Sequence, residues 1–155
     1  MGKLMLPVEE AAAILKLADN DTRMAFDIIQ KQFDVMYGRA QSVVGMASII
    51  VTVTGFSGRL IAGTNVAAQI FVIAGLAVAL LGAGWVVWRV MLIDWLTAHL
   101  SDDAVASLGR MVMTRNAKTR AVAVGGWLLL AGLTLYFVAI SIMLANPTPL
   151  QVPVR

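Results

Sequence analysis

Cysteine is absent from the 155 residues, histidine occurs once, and only 14% of positions carry a charge. The missing thiols exclude disulfides, thiolate metal sites, iron–sulfur clusters and cysteine nucleophiles together. A single histidine, His99, leaves no His pair for a zinc or haem site. Acids are scarce as well, nine against 12 Lys and Arg. The isoelectric point of about 9.7 therefore reflects few acids rather than a strongly basic surface, and a net charge of +3 argues against a nucleic-acid partner. What fills the chain instead is apolar: 59% hydrophobic residues and a mean hydropathy of +0.82, which is too apolar for a soluble domain.

The apolar residues are concentrated in three uncharged runs. Residues 67–88 (AAQIFVIAGLAVALLGAGWVVW) reach about 33 Å as a helix, enough to cross a hydrocarbon core. Residues 121–145 form a comparable run, followed by the turn-like Asn146-Pro147-Thr148-Pro149. The third, residues 40–58, is shorter, at about 28 Å, and carries Gln41, Ser42, Ser48, Thr52, Thr54 and Ser57. The expected fold is therefore an all-α integral membrane protein with three transmembrane helices. Lys3, Lys16, Arg23, Lys31 and Arg39 precede the first run, and Arg89, Arg110, Arg115, Lys118 and Arg120 lie between the second and third. Only Arg59 and Arg155 fall elsewhere, so the positive-inside rule puts the N-terminus and residues 89–120 in the cytoplasm and the Pro-rich tail 146–155 outside. Trp85, Trp88 and Trp127 then sit near the cytoplasmic boundary, where amphipathic rings prefer the headgroup level. Glu9 and Glu10 argue against a cleaved secretory signal, and the first span is expected to be retained.

The parts outside the spans also carry helical patterns. Pro7 opens a short helix with Val8, Ala11, Ala12, Ile14, Leu15 and Ala18 on one face. Asp19-Asn20-Asp21-Thr22 offers an N-cap, after which Phe26, Ile29, Phe33, Met36 and Tyr37 recur at three- and four-residue steps. Between Thr22 and Thr54 only Gly38 and Gly45 weaken a helix, which predicts one long helix, half wet and half in lipid. Past Trp88 an apolar stripe continues to about His99, Ser101-Asp102-Asp103 caps the next start, and Ala104, Val105, Leu108, Met111 and Val112 carry the stripe on. The chain thus divides into amphipathic cytoplasmic helices over 1–39 and a membrane domain over 40–145. The latter includes a cytoplasmic hairpin at 89–120, which the N-terminal helices are expected to cover.

On a helical wheel Gln41, Gly45, Ser48, Thr52, Gly55 and Arg59 fall within about 40° of one line. Two readings fit this stripe: a water-exposed or pore-lining face ending in Arg59, or a seam where small residues let helices approach. Ala68, Gly75, Ala79 and Gly82 in the second span, with Gly125, Gly132 and Ala139 in the third, read as contact seams. Arg110, Arg115, Lys118 and Arg120 are candidate contacts for anionic lipid, although positive-inside topology alone accounts for them. No charged residue lies inside a span, which disfavours proton relays and ion-coupled transport. His99 beside Asp94, Asp102 and Asp103 lacks a second histidine for a metal site, and Asp102 and Asp103 fit helix caps. Gly55-Phe56-Ser57-Gly58 and Gly82-Ala83-Gly84 do not read as phosphate loops. No catalytic, cofactor or metal site is therefore expected.

In layout, a long amphipathic helix from Asp21 running into a span and then a membrane hairpin, residues 21–145 resemble the small transmembrane effectors of bacterial nucleotide-signalling defence systems, the Pycsar-type and SLATT-type modules. The resemblance implies oligomerisation driven by a sensor segment, followed by impairment of the bilayer, and it transfers no individual residue. Two functional expectations stand together. The first is a non-enzymatic homo-oligomer of the bacterial inner membrane that forms a pore or perturbs the bilayer through the first span. The second is an accessory or assembly subunit of a larger membrane complex.

Overall fold

A computed structural model describes residues 6–62, 65–91 and 103–145, and every regular element among them is helical. Helix α1 spans Pro7–Leu17, α2 Thr22–Ala62, α3 Val66–Val86 with a following π turn at Val87–Met91, and α4 Ala104–Ala145. Three of these, including the 41-residue α2 and the 42-residue α4, are long and apolar enough to cross a membrane. The single long helix expected from Thr22 onward is present and passes through Gly38 and Gly45 without interruption.

Local chemistry sets the helix ends. The Leu6 N–H donates to the Glu9 carboxylate at 3.1 Å, the back-reaching half of a capping box. After Ala18 the chain turns through two left-handed residues, Asp19 (φ 52°) and Asn20 (φ 62°), a conformation that short polar side chains tolerate. The Asn20 N–H closes α1 on the Leu15 carbonyl at 3.0 Å, and Asp21 then caps α2 by accepting from the Arg23 N–H at 2.8 Å. Asn65 caps α3 through the Ala67 N–H, and Asp103 caps α4 through the Val105 N–H, both at 2.9 Å. Asp103 thus has the capping role read from sequence. Its companion Asp102, together with Asp94, His99 and the tail from Asn146, lies outside the described residues.

The helices contribute to two compact units, one of residues 1–41 and 86–123, the other of 42–85 and 124–155. Every charged residue whose side chain is described belongs to the first unit, and Arg59 falls in the second by its backbone. In that unit Ile29, Phe33 and Met36 of α2, Val86 at the end of α3, Val90 in the π turn after it, and Leu108, Met111 and Val112 of α4 are buried. Helix α1 buries Ala11 and Ile14, and Ala18 just after it is buried as well, while Val8 and Ala12 remain exposed. Val8 nevertheless approaches α4, where a Cβ on Gly109 would lie 3.8 Å from its side chain. The described N-terminal residues and the start of α4 thus belong to one unit.

The second unit holds the apolar parts of α2, α3 and α4, about 20 residues and about 30 Å of each, uncharged apart from Arg59 near the end of α2. Its core is Ala47 and Ile50 of α2, Ala79 and Ala83 of α3, and Leu129 of α4, with Val43 and Leu76 packed against it. The small-residue seams of α3 and α4 meet. A Cβ on Gly75 would stand 2.8 Å from the Gly132 carbonyl oxygen, and one on Gly82 2.9 Å from that of Gly125. Hydrocarbon supplies no hydrophobic drive between helices, so this close van der Waals approach is what holds such a pair together. The outer surface of the unit carries large apolar side chains, among them Phe56, Ile73, Leu81, Leu130 and Phe137.

Buried positions on α3 advance by four and three: Ala68, Val72, then Ala79 and Val86 beside the glycines. Continuing that rhythm by three would bring Arg89 onto the seam. The π turn adds one residue at this point, so Val90 is buried in its place and Arg89 is exposed.

Gly126 and Gly132 lie on the same helix and share the same intrinsic gain of about 1 kcal/mol on conversion to Ala. Nothing lies within 4 Å of a Cβ at Gly126, whereas one at Gly132 would meet the Gly75 oxygen at 2.7 Å and the Ala79 nitrogen at 2.8 Å. Gly132→Ala should therefore be less stable than Gly126→Ala by about 1–3 kcal/mol in detergent, followed by circular dichroism. Equal melting of the two variants would refute the close seam.

Candidate functional site

The stripe from the first span lies on the open side of α2. Gln41, Gly45, Ser48, Thr52 and Gly55 are all exposed, and nothing lies within 4 Å of a Cβ built on Gly45 or Gly55. Arg59 belongs to α2 by its backbone, and its side chain lies outside the described ones. The opposite face, through Ala40, Ala47 and Ile50, is the buried one. Of the three small-residue faces in the spans, those of α3 and α4 are closed within the chain and that of α2 is open.

The stripe also extends further than the first span. Arg23, Asp27, Gln30, Asp34 and Gly38 continue it toward the N-terminus at steps of three and four, and every one is exposed. Helix α2 is thus amphipathic over most of its length, with a polar face that is charged at one end and built of small, uncharged residues at the other. Large apolar side chains flank the small part: Met46, Ile49, Val53 and Phe56, the last 87% exposed. The hydroxyls are already engaged, since Ser48 donates to the Val44 carbonyl at 3.0 Å and Thr52 to that of Ser48 at 2.9 Å. This back-bonding lets a hydroxyl stand in an apolar medium while its oxygen still accepts from water or a neighbour.

The basic cluster of α4 divides in two. Arg110 and Arg120 are exposed. Arg115 pairs with the Glu10 carboxylate at 2.8 Å and donates to Gln32 and, at 2.7 Å, to Asn116. Lys118 is only 5% exposed, donates to the Tyr37 hydroxyl at 3.3 Å, and holds its ammonium 5.6 Å from the centre of that ring, which stacks on Phe33. Arg115 and Lys118 therefore tie α4 to α1 and α2 inside the first unit. The signal for this division was present in the heptad phase of α4. Leu108, Met111, Arg115, Lys118, Val122, Gly125, Leu129 and Gly132 recur at alternating steps of three and four, and Arg110 and Arg120 fall off that line.

Among the described residues no group of three His, Asp or Glu side chains is placed to hold a metal ion, and no buried polar side-chain atom lacks a partner. Three long apolar helices and an uncharged unit with an apolar surface define the class as a multi-pass helical membrane protein. Comparison with models of protein families, with curated proteins and with solved structures finds no match to this chain.

The Glu10–Arg115 pair is partly exposed, 27% and 16% by side chain, so its worth is below that of a fully buried pair. Glu10→Ala should cost about 1–2 kcal/mol, and a double-mutant cycle with Arg115→Met should return a coupling of about 1 kcal/mol. Arg120→Gln should stay within about 0.5 kcal/mol of the parent. Thermal melts in detergent measure all of these, and zero coupling would remove the pair from the structural account.

Proposed function

We propose that this chain is a non-enzymatic, self-associating protein of a bacterial inner membrane, with its N-terminus in the cytoplasm and its C-terminus outside. In this reading the polar face of α2 turns toward the axis shared by several copies and gives water and ions a path through the bilayer. One observation carries it: among the described residues the small and polar stripe of α2, from Gln41 to Gly55, is not closed by the chain itself. A face of Gly, Ser and Thr set among large apolar residues gains little from acyl chains. It gains close backbone approach, and about 0.6 kcal/mol per interhelical hydrogen bond, from another helix. Water is the other medium that suits it, and an assembly around an axis supplies both. The cation-rich first unit lies on the cytoplasmic side by the positive-inside rule.

The same open face suits a foreign subunit, which is the accessory-subunit reading, and purification in mild detergent separates the two. A homogeneous oligomer of this chain supports self-association; stoichiometric foreign subunits support the alternative.

Because the chain has no cysteine, a single Ser48→Cys creates a unique reporter. Mild oxidation in membranes should give a disulfide-linked dimer with Ser48→Cys and not with Leu80→Cys, which is exposed on α3. In liposomes, Ser48→Leu with Thr52→Leu should lower ion flux by about tenfold or more, because an apolar constriction dewets a pore. Unchanged flux would discard the conducting path, and absence of the Ser48→Cys dimer would discard the shared axis.

A further inference from the structure

The first unit contains a cavity of about 520 Å³ between α2 and α4 that the preceding reading does not use. Its charged lining is entirely cationic: Lys31 and Arg39 from α2 and Arg115 from α4, with no carboxylate. Arg115 is neutralised by Glu10. Lys31 and Arg39 are exposed and make no hydrogen bond or ion pair among the described residues, so two cations at this cavity lack an ion-pair partner there. Gln32 and Thr119 add amide and hydroxyl donors.

The remaining lining is apolar, including Val35 and Met36 on α2 and Val122 and Ala123 on α4. A soluble anion such as inorganic phosphate has no use for such a wall. An amphiphile with an anionic head does, since its head meets the cations while its glycerol and upper acyl carbons lie on the apolar side. Position along the helices agrees with this. Arg39 directly precedes Ala40, where the uncharged stretch of α2 begins, and Val122 and Ala123 lie at the start of that of α4, just after Arg120. The cavity therefore opens at chain positions that correspond to headgroup depth if the uncharged unit fills the hydrocarbon.

From this we infer that the cavity between α2 and α4 is a binding site for one anionic phospholipid, its phosphate held by Lys31 and Arg39 and its apolar part by Val122 and Met36. The inference relies on membrane insertion of the second unit and not on self-association. A monomer that retains the lipid would overturn the proposal of a shared axis and leave this one standing.

The experiment is native mass spectrometry of the full chain in detergent, titrated with phosphatidylglycerol or phosphatidylcholine of matched chains. One phosphatidylglycerol per chain should be retained, at least tenfold more tightly than phosphatidylcholine. Lys31→Gln combined with Arg39→Gln should weaken it about thirtyfold, whereas Arg23→Gln, on the opposite, polar face of α2, should not. Val122→Trp keeps every cation and fills the apolar side, and it too should weaken retention. Equal retention of the two lipids, no loss in the double variant, or no effect of Val122→Trp would each overturn the site. Displacement of phosphatidylglycerol by millimolar inorganic phosphate would show a soluble phosphate site and overturn the lipid assignment.

Discussion

Backbone-to-backbone contact between α3 and α4, at Gly75 against Gly132 and Gly82 against Gly125, is the constraint on which the uncharged unit depends. In water a helix pair can be driven together by burying leucines. In hydrocarbon that drive is gone, and association relies on how closely two helices approach. The glycines permit that approach, and Ala79, Ala83 and Leu129 fill the space beside them. With these faces closed, the large side chains of the same helices are left outward, as an apolar surface suited to acyl chains.

The first unit solves a different problem with the same helices. Along α4 the seam that carries glycine and leucine in its uncharged half carries Arg115 and Lys118 in the other. Cations at seam positions must be given partners, because burying an unpaired charge is far more costly than leaving it in water. Glu10 of α1 and Gln32 of α2 serve Arg115, and the Tyr37 hydroxyl and ring serve Lys118. The π turn after α3 belongs to the same logic, since one extra residue removes Arg89 from a seam and puts Val90 there. Charge in this unit is thus either paired within the seam or turned outward, and the two exposed cations at the α2–α4 cavity are the ones left for an outside anion.

Helix α2 combines two periodicities. Its buried residues, Ile29 with Met36 and Phe33 with Ala40 and Ala47 among them, repeat every seven positions, while its polar face follows the 3.6-residue turn from Arg23 to Gly55. One face is therefore committed to the chain's own packing in both units. The other remains open along the helix, and its small uncharged part is the feature on which the reading as a self-associating membrane protein rests.

The amino-acid sequence by itself determined the helical class, the three apolar helices and most of their starts. Those depend on local facts: uncharged runs long enough to span about 30 Å, and capping residues such as Asp21 and Asp103 whose carboxylates reach only their own helix. It also marked the small-residue stripes, since spacing along one helix is a property of that helix. Which stripe faces a neighbour is not, because α2, α3 and α4 carry similar patterns and only their packing decides that two close on each other and one stays open. The same holds for the cations of α4. The heptad phase of α4 puts Arg115 and Lys118 on the seam and leaves Arg110 and Arg120 off it, but only the tertiary structure supplies the partners of the first two, because Glu10 and Tyr37 come from helices more than 80 residues away in the chain.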